Sequence, residues 1–293
     1  LFDCPLSGGT LANFVKRGGK KAKQASEHIR RALKREPVLH VDETGCRQHG
    51  KRHWLHVACT GKFSFYHIDA KRGKEAMLNM GILAGYTGKV VHDFWSSYYC
   101  FKACLHYLCN AHLLRELEYV EEVLGQPWAG KMTGILLEAK KLRERENARA
   151  PGSRRVVGEQ TELRISLAYS EAILEGYELN PEPVRKPGQR GRPARGKALN
   201  LLYRLEQRVG EILSFLVDGE VPFDNNQAER DLRMMKVREK ISGTFRSEEN
   251  ARAFCDLRSV ISTARKQSHR IIDVLAQLTH SPDILGEKLT GGP

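Results

Sequence analysis

PVLHVDETG, residues 37–45, and GKVVHDFWSSY, residues 88–98, each run from apolar, mostly β-branched residues into an acid. Runs this short and apolar fit buried strands better than helices. In an open sheet, side chains at strand ends line the crevice where ligands bind. Asp42 and Asp93 are therefore the first candidates for chemistry. KRHWLHVACT and KFSFYHIDA lie between them, separated by Gly61, and read as antiparallel neighbours. GKEAMLNMGILAGY reads as a helix, and LHYLCNAHLLREL as a short strand running into another. This order predicts an α/β fold: a mixed sheet flanked by helices.

The flanks are helical. Residues 7–35 read as a helix broken at Gly18-Gly19 and ended by Pro37. Residues 113–180 are helical in character, cut at Pro127 and at Pro151-Gly152. PEPVRKPGQRGRPARGK, 181–197, is a linker without core-forming residues. A helix over 198–216 follows, then VPFDNNQAERDLRMMKVREK at 221–240, then two closing helices. The expected divisions are a helical segment 1–36, a sheet core 37–112, a helical insertion 113–220 and a helical end 221–293.

Charge narrows the partners. Lys and Arg number 48 against 35 Asp and Glu, a formal net charge of +13. Such a surplus favours polyanions, nucleic acid before an anionic membrane. No apolar run approaches the roughly 20 residues of a membrane span, and no signal-peptide pattern is visible. The seven cysteines are scattered through apolar segments, as reduced thiols of a cytosolic protein would be. The expected location is cytoplasmic, on the nucleoid.

Two carboxylates gathered at one sheet end repel each other unless a cation lies between them. A hard divalent ion with oxygen ligands, usually magnesium, is the natural partner. Two such ions about 3.5–4 Å apart can hold the attacking and leaving oxygens of a phosphodiester displacement. A third carboxylate is then needed, and Glu229 is the candidate. Asp224 is the expected N-cap of its helix, with Gln227 completing a capping box, which puts Glu229 in the second turn. Asn225, Asn226, Arg233 and Lys236 fall on its face, while Ala228, Leu232 and Met235 form a separate packing stripe. A solvated helix face carries the same residues, and Glu229 with Arg233 is an ordinary i,i+4 pair. Glu43 rivals Asp42.

The combination is more specific than its parts. LHVDETG, VVHDFWSSY, LCNAHLLREL and VPFDNNQAERDLRMMKVREKISGTFRSEENARAFCDLRSVISTARKQ, in this order, closely resemble transposases of the insertion-sequence-66 family. The resemblance extends to CPLSGGTLANFV and the RGRP linker. It implies a ribonuclease-H-like fold, an Asp-Asp-Glu triad and a helical insertion before the Glu helix. By matching motif the triad is Asp42, Asp93 and Glu229, which would hold two magnesium ions, with manganese able to substitute. The implied activity is cleavage at the 3′ end of an insertion sequence, followed by attack of the freed 3′-hydroxyl on target DNA. The partners expected are double-stranded DNA, as element ends and target, further copies of the chain on that DNA, and helper proteins of the same element. Members of the family usually carry upstream zinc-binding and helix-turn-helix segments, so a segment before Leu1 is expected. Cys46 stands where the family often has a bulky aromatic. A nuclease or resolvase without strand transfer and a non-catalytic DNA-binding remnant are the alternatives.

Other constellations are weaker. Cys100, Cys104, Cys109 and His112 have C-x3-C-x4-C-x2-H spacing, which is not a strong zinc pattern and reads as core thiols. His112 and Arg115 begin a helix beside Glu116. Capping or ion pairing would explain them, but the family repeats this element after the second Asp, which favours phosphate contact by Arg115 and leaves His112 open. His40 and His92 flank the acids, and magnesium already explains those acids. Arg190-Gly191-Arg192-Pro193 resembles an AT-hook, whose arginines can enter a narrow minor groove. A solvated linker would carry the same cations. Lys236, Arg238, Lys240 and Arg246 are expected phosphate contacts with Arg233, and Asn226 is an uncertain one. Trp95 reads as core, with stacking on an unpaired base as its other use.

Overall fold

The computed structural model describes residues 5–291 apart from 151, 154, 186–189 and 192. In chain order its elements are α1 (Gly8–Leu33), β1 (Val38–Gln48), β2 (Lys51–Cys59), β3 (Ser64–Asp69), α2 (Lys74–Met80), β4 (Lys89–His92), β5 (Leu105–Leu108), α3 (Asn110–Glu122), α4 (Pro127–Arg149), α5 (Glu159–Leu179), α6 (Lys197–Gln207), α7 (Val209–Val217), α8 (Asn226–Ser242), α9 (Glu248–Lys266), α10 (Ile271–His280) and α11 (Pro282–Thr290). They form two compact units. One is built from residues 1–106 and 226–293, the other from 107–225.

The first unit holds a five-stranded mixed sheet in the order β3-β2-β1-β4-β5. β1 runs antiparallel to β2 and parallel to β4, and β2 is antiparallel to β3. The alternation of side chains along β1 and β2 separates two cores. Leu39, Val41 and Ala58 face α1, α10 and α11 through Ile29, Leu33, Val274 and Leu285. Cys46, Leu55, Val57 and Cys59 face α8 and α9 through Leu232, Met235 and Cys255.

Helix α9 does more than cover that face. Its Ser259 and Thr263 hydroxyls, one turn apart, accept the backbone N–H groups of Tyr66 and Ser64 at 3.0 and 3.1 Å. These are alternate residues of edge strand β3, whose open N–H groups would otherwise invite another strand. Its ends suit a helix: Ser247 caps the N-terminus by accepting the Asn250 N–H, Glu248 and Glu249 fill the first turn, and Arg265 and Lys266 fill the last.

Helix α1 corrects one expectation. It is continuous through Gly18 and Gly19. A Cβ on Gly19 would stand 2.3 Å from the Ala253 Cβ and 2.4 Å from its Cα. The glycine is there because two helix backbones touch, not because the helix stops. Gly19→Val should therefore force α1 off α9 and cost about 3 kcal/mol or more, read as a lowered midpoint in urea. A midpoint equal to that of the native protein would refute the close packing.

Three more expectations are revised. Helix α2 ends at Met80, because Gly81 takes a left-handed conformation (φ 71°), so residues 81–86 lie outside any helix. Residues 198–216 are two helices, parted at Arg208 (φ −118°, ψ 18°) next to Val209 and Gly210. Three helices, not two, follow α8.

Among the described residues the second unit is helical apart from the end of β5, a single Arg155–Asp218 bridge and its connecting loops. Pro127 opens α4 at a position where its missing N–H costs nothing. Trp128, Met132, Leu136, Tyr169, Leu202 and Phe215 are buried in this unit. Arg143 ties the chain beyond α7, donating to the carbonyls of Phe215, Gly219 and Val221. No helix or strand interrupts the described part of 181–196.

Candidate active site

The parallel register of β1 and β4 pairs Val38 with Lys89, Leu39 with Val90 and His40 with Val91. Asp42 and Asp93 each lie two residues beyond the last pair of this ladder, Asp93 just past the end of β4. Both carboxylates are fixed by local backbone: Asp42 Oδ1 accepts the Glu43 N–H at 2.8 Å, and Asp93 Oδ1 accepts the Trp95 N–H at 2.9 Å.

The third candidate, Glu229, is carried by α8. The helix begins at Asn226, so Asn225 rather than Asp224 precedes it, and Glu229 sits in the first turn rather than the second. There the N-terminal end of the helix favours an anion. Ala228, Leu232 and Met235 are buried, as the packing stripe predicts. The helix is also clamped by a residue that the sequence reading passed over. Asp231 accepts from Lys266 Nζ and from Ser64 Oγ, both at 2.7 Å, and its carbonyl accepts the Tyr66 hydroxyl at 3.1 Å. Lys266 also donates to the carbonyls of Thr60 and Phe63. The spacing Glu-x-Asp, with the two side chains on different helix faces, was the available signal.

Asp42 feels the charge of both other acids. Its carboxyl is pushed up from 3.8 to about 7. Burial is the main cause, then the charge of Glu43, opposed by the Glu43 N–H, with Asp93 and Glu229 adding repulsion. Glu43 lies on the other face of β1 and is neutralised inside the fold. Its side chain is 1% exposed. Arg72 donates to its Oε1 through Nε at 2.9 Å and Nη2 at 2.8 Å, and the Tyr98 hydroxyl donates to its Oε2 at 2.6 Å. Burial raises the Glu43 carboxyl, while Tyr98 and Arg72 pull it down. Glu43 is thus a neighbour of the cluster with its own cation, which distinguishes it from Asp42. Arg72 and Tyr98 lie in different segments, and no local motif announces their meeting with Glu43.

His92 is fully buried, stacked on Tyr98 at 4.6 Å. Its ring nitrogens engage the Asp93 carbonyl and His106 Nδ1, and His106 Nε2 meets the Phe101 carbonyl at 3.1 Å. Trp95 is half-buried against the first core, as expected, but one face carries the Arg72 guanidinium at 4.2 Å. Cys46 is buried in the second core, where burial pushes its thiol up to about 12.

The expected DNA-contact residues fall in different places. Arg233, Lys236 and Lys240 are exposed on α8, and Arg246 is exposed just after it. Arg238 is half-buried over the Phe245 ring at 3.5 Å. Asn226 is the exposed first residue of α8. In the second unit Arg115 is exposed and His112 half-buried on α3, and Glu116 pairs with Arg204 of α6. Arg190 is exposed, and Arg192 lies outside the described residues. The six described cysteines are free thiols, with Cys104 donating to the Phe101 carbonyl and Cys109 accepting the Asn225 N–H.

A mixed sheet, half-buried acids at its strand ends and a clamped helix that carries a third half-buried acid define a mixed α/β protein within a strongly basic chain. The chain belongs to the IS66 transposase family: the family model described as Transposase IS66 family matches residues 2–253. No match is found among curated proteins. Among the described residues no helix is long and apolar enough to cross a membrane.

Proposed function

We propose that this chain is an Asp-Asp-Glu transposase that cleaves the 3′ ends of an insertion sequence and joins them to target DNA. Asp42, Asp93 and Glu229 are its catalytic carboxylates. The observation that carries the reading is the family match over residues 2–253, taken with a parallel β1–β4 ladder whose two strands lead into Asp42 and Asp93; the raised Asp42 carboxyl, to which Asp93 and Glu229 contribute, agrees with it. Like charges drawn this close are costly in a protein with nothing to hold. The strand order, with β1 and β4 parallel at the centre, supports a ribonuclease-H-like core.

The donors fit a divalent cation, since they are hard carboxylate oxygens whose repulsion a cation would relieve. Asp42, Asp93 and Glu229 would hold magnesium, with manganese as a substitute. Two bound ions would polarise the scissile phosphate and stabilise the leaving oxygen. The chain supplies the rest. Backbone N–H groups fix the aspartates in place, and the Asp231–Lys266 clamp holds α8. Arg233, Lys236, Lys240 and Arg246 supply cations for the phosphates of the substrate. In the second unit, Arg115, Arg190 and Arg192 would do the same.

The test is a magnesium-dependent assay on DNA carrying element ends, scored for nicked and for joined product. Joined product supports transposition. Nicks without joining identify a nuclease, and binding without nicks identifies a DNA-binding remnant. Replacing Arg190 and Arg192 with Ala should weaken binding and lower its salt slope by about 2. An unchanged slope would exclude the linker from DNA contact.

A further inference from the structure

Two guanidinium groups and two indoles pack together on the first unit. Arg52 lies 4.6 Å and Arg72 4.7 Å from the Trp54 ring, and Arg72 also lies 4.2 Å from Trp95. The four residues come from β2, the turn after β3 and the turn after β4. The arrangement is built. Trp54 pairs with Gly45 across the β1–β2 ladder, and that bare glycine lets Arg52 lie close: a Cβ there would be 3.4 Å from Arg52 Nη2. Arg72 is 41% exposed while held by Glu43, and Arg52 is exposed.

Two cations on one ring repel each other. Each ring face offers only about 0.5–1 kcal/mol at an exposed site. Glu43 compensates one charge and leaves the other for an anion. A guanidinium held flat against an indole keeps its N–H edge outward and loses little freedom on pairing, which suits it to phosphate oxygens. The stack lies near the strand ends that carry the acids: the backbone N–H of Trp95 donates to Asp93, and Arg72 holds Glu43 on the face of β1 opposite Asp42.

We propose that Arg52, Trp54, Arg72 and Trp95 form a phosphate rail that seats the backbone of a DNA strand beside the carboxylate cluster. The inference rests on DNA being the substrate and assigns the residues that deliver it. The rail reads phosphates and not base edges, so its contribution is independent of sequence.

The experiment is fluorescence anisotropy of the full chain with a labelled duplex, without divalent metal, from about 50 to 200 mM salt. Arg52→Ala should lower the salt slope by about 0.9, which at 0.1 M salt is about an eightfold loss of affinity, whatever the sequence. Trp54→Leu keeps both cations but removes the ring under Arg52, while Glu43 and Trp95 still hold Arg72; it should leave the slope near native and lower affinity by less than Arg52→Ala. Circular dichroism and the thermal midpoint of Arg52→Ala, at the exposed end, should match those of the native protein. Native slope and affinity in both variants would overturn the rail and leave the stack as support for the sheet. The outcome separates from the transposase reading. A chain that loses slope but never nicks DNA keeps the rail and refutes the transposase, and one that nicks DNA with unaltered slopes does the reverse.

Discussion

Glu229→Gln is expected to abolish metal-dependent nicking, by about a thousandfold or more, while the fold and DNA affinity persist. The change removes one anionic oxygen at nearly constant shape. Helix α8 is held elsewhere, by buried Ala228, Leu232 and Met235 and by the Asp231–Lys266–Ser64 clamp. The loss should therefore fall on catalysis and not on stability. Purified Glu229→Gln that nicks DNA at near-native rate would remove this residue from the site. Asp231→Ala gives the contrasting result: all three acids are retained, but α8 loosens, and both the thermal midpoint and the rate fall together.

Asp42→Asn should change the pH dependence of stability in metal-free protein. In the fold burial and neighbouring acids push the Asp42 carboxyl up from 3.8 to about 7. Between these values the native state keeps a proton that the unfolded chain has lost, so stability falls as pH rises and levels off above about 7. Three pH units correspond to about 4 kcal/mol as an upper bound. Asparagine carries no such penalty. Native and variant proteins should match near pH 4, and the variant should be the more stable at pH 8. Glu43 and Asp256 are also raised, but they are present in both proteins and cancel in the comparison. Magnesium at pH 8 should stabilise the native protein and affect the variant less. Parallel stability curves from pH 4 to 8 would contradict the field described for Asp42.

Strands β1 and β4 were legible because a short apolar run ending in acid admits few other structures. The packing stripe of α8 was legible because Ala228, Leu232 and Met235 recur at helical spacing. What escaped was everything made by chain segments meeting. Gly18-Gly19 looked like a break because the partner that requires a bare Cα, Ala253, is remote in sequence. Glu43 looked like a rival to Asp42 until Arg72 and Tyr98 arrived to neutralise it. The start of α8 was read one residue early because Asp224 and Asn225 are both good caps. Trp95 was read as core, and its second face, covered by Arg72, depends on a turn whose path no local pattern sets. The family resemblance named the three acids. It could not say that Asp231, two residues past Glu229, anchors the helix.

The hydroxyls of Ser259 and Thr263 occupy N–H groups along β3 that a neighbouring molecule's strand would need. Copies of this protein cannot extend the sheet from that side without first prising α9 away. Alanine at 259 and valine at 263, which delete the oxygens without adding bulk, would leave that margin hungry for hydrogen bonds and open to edge-to-edge association.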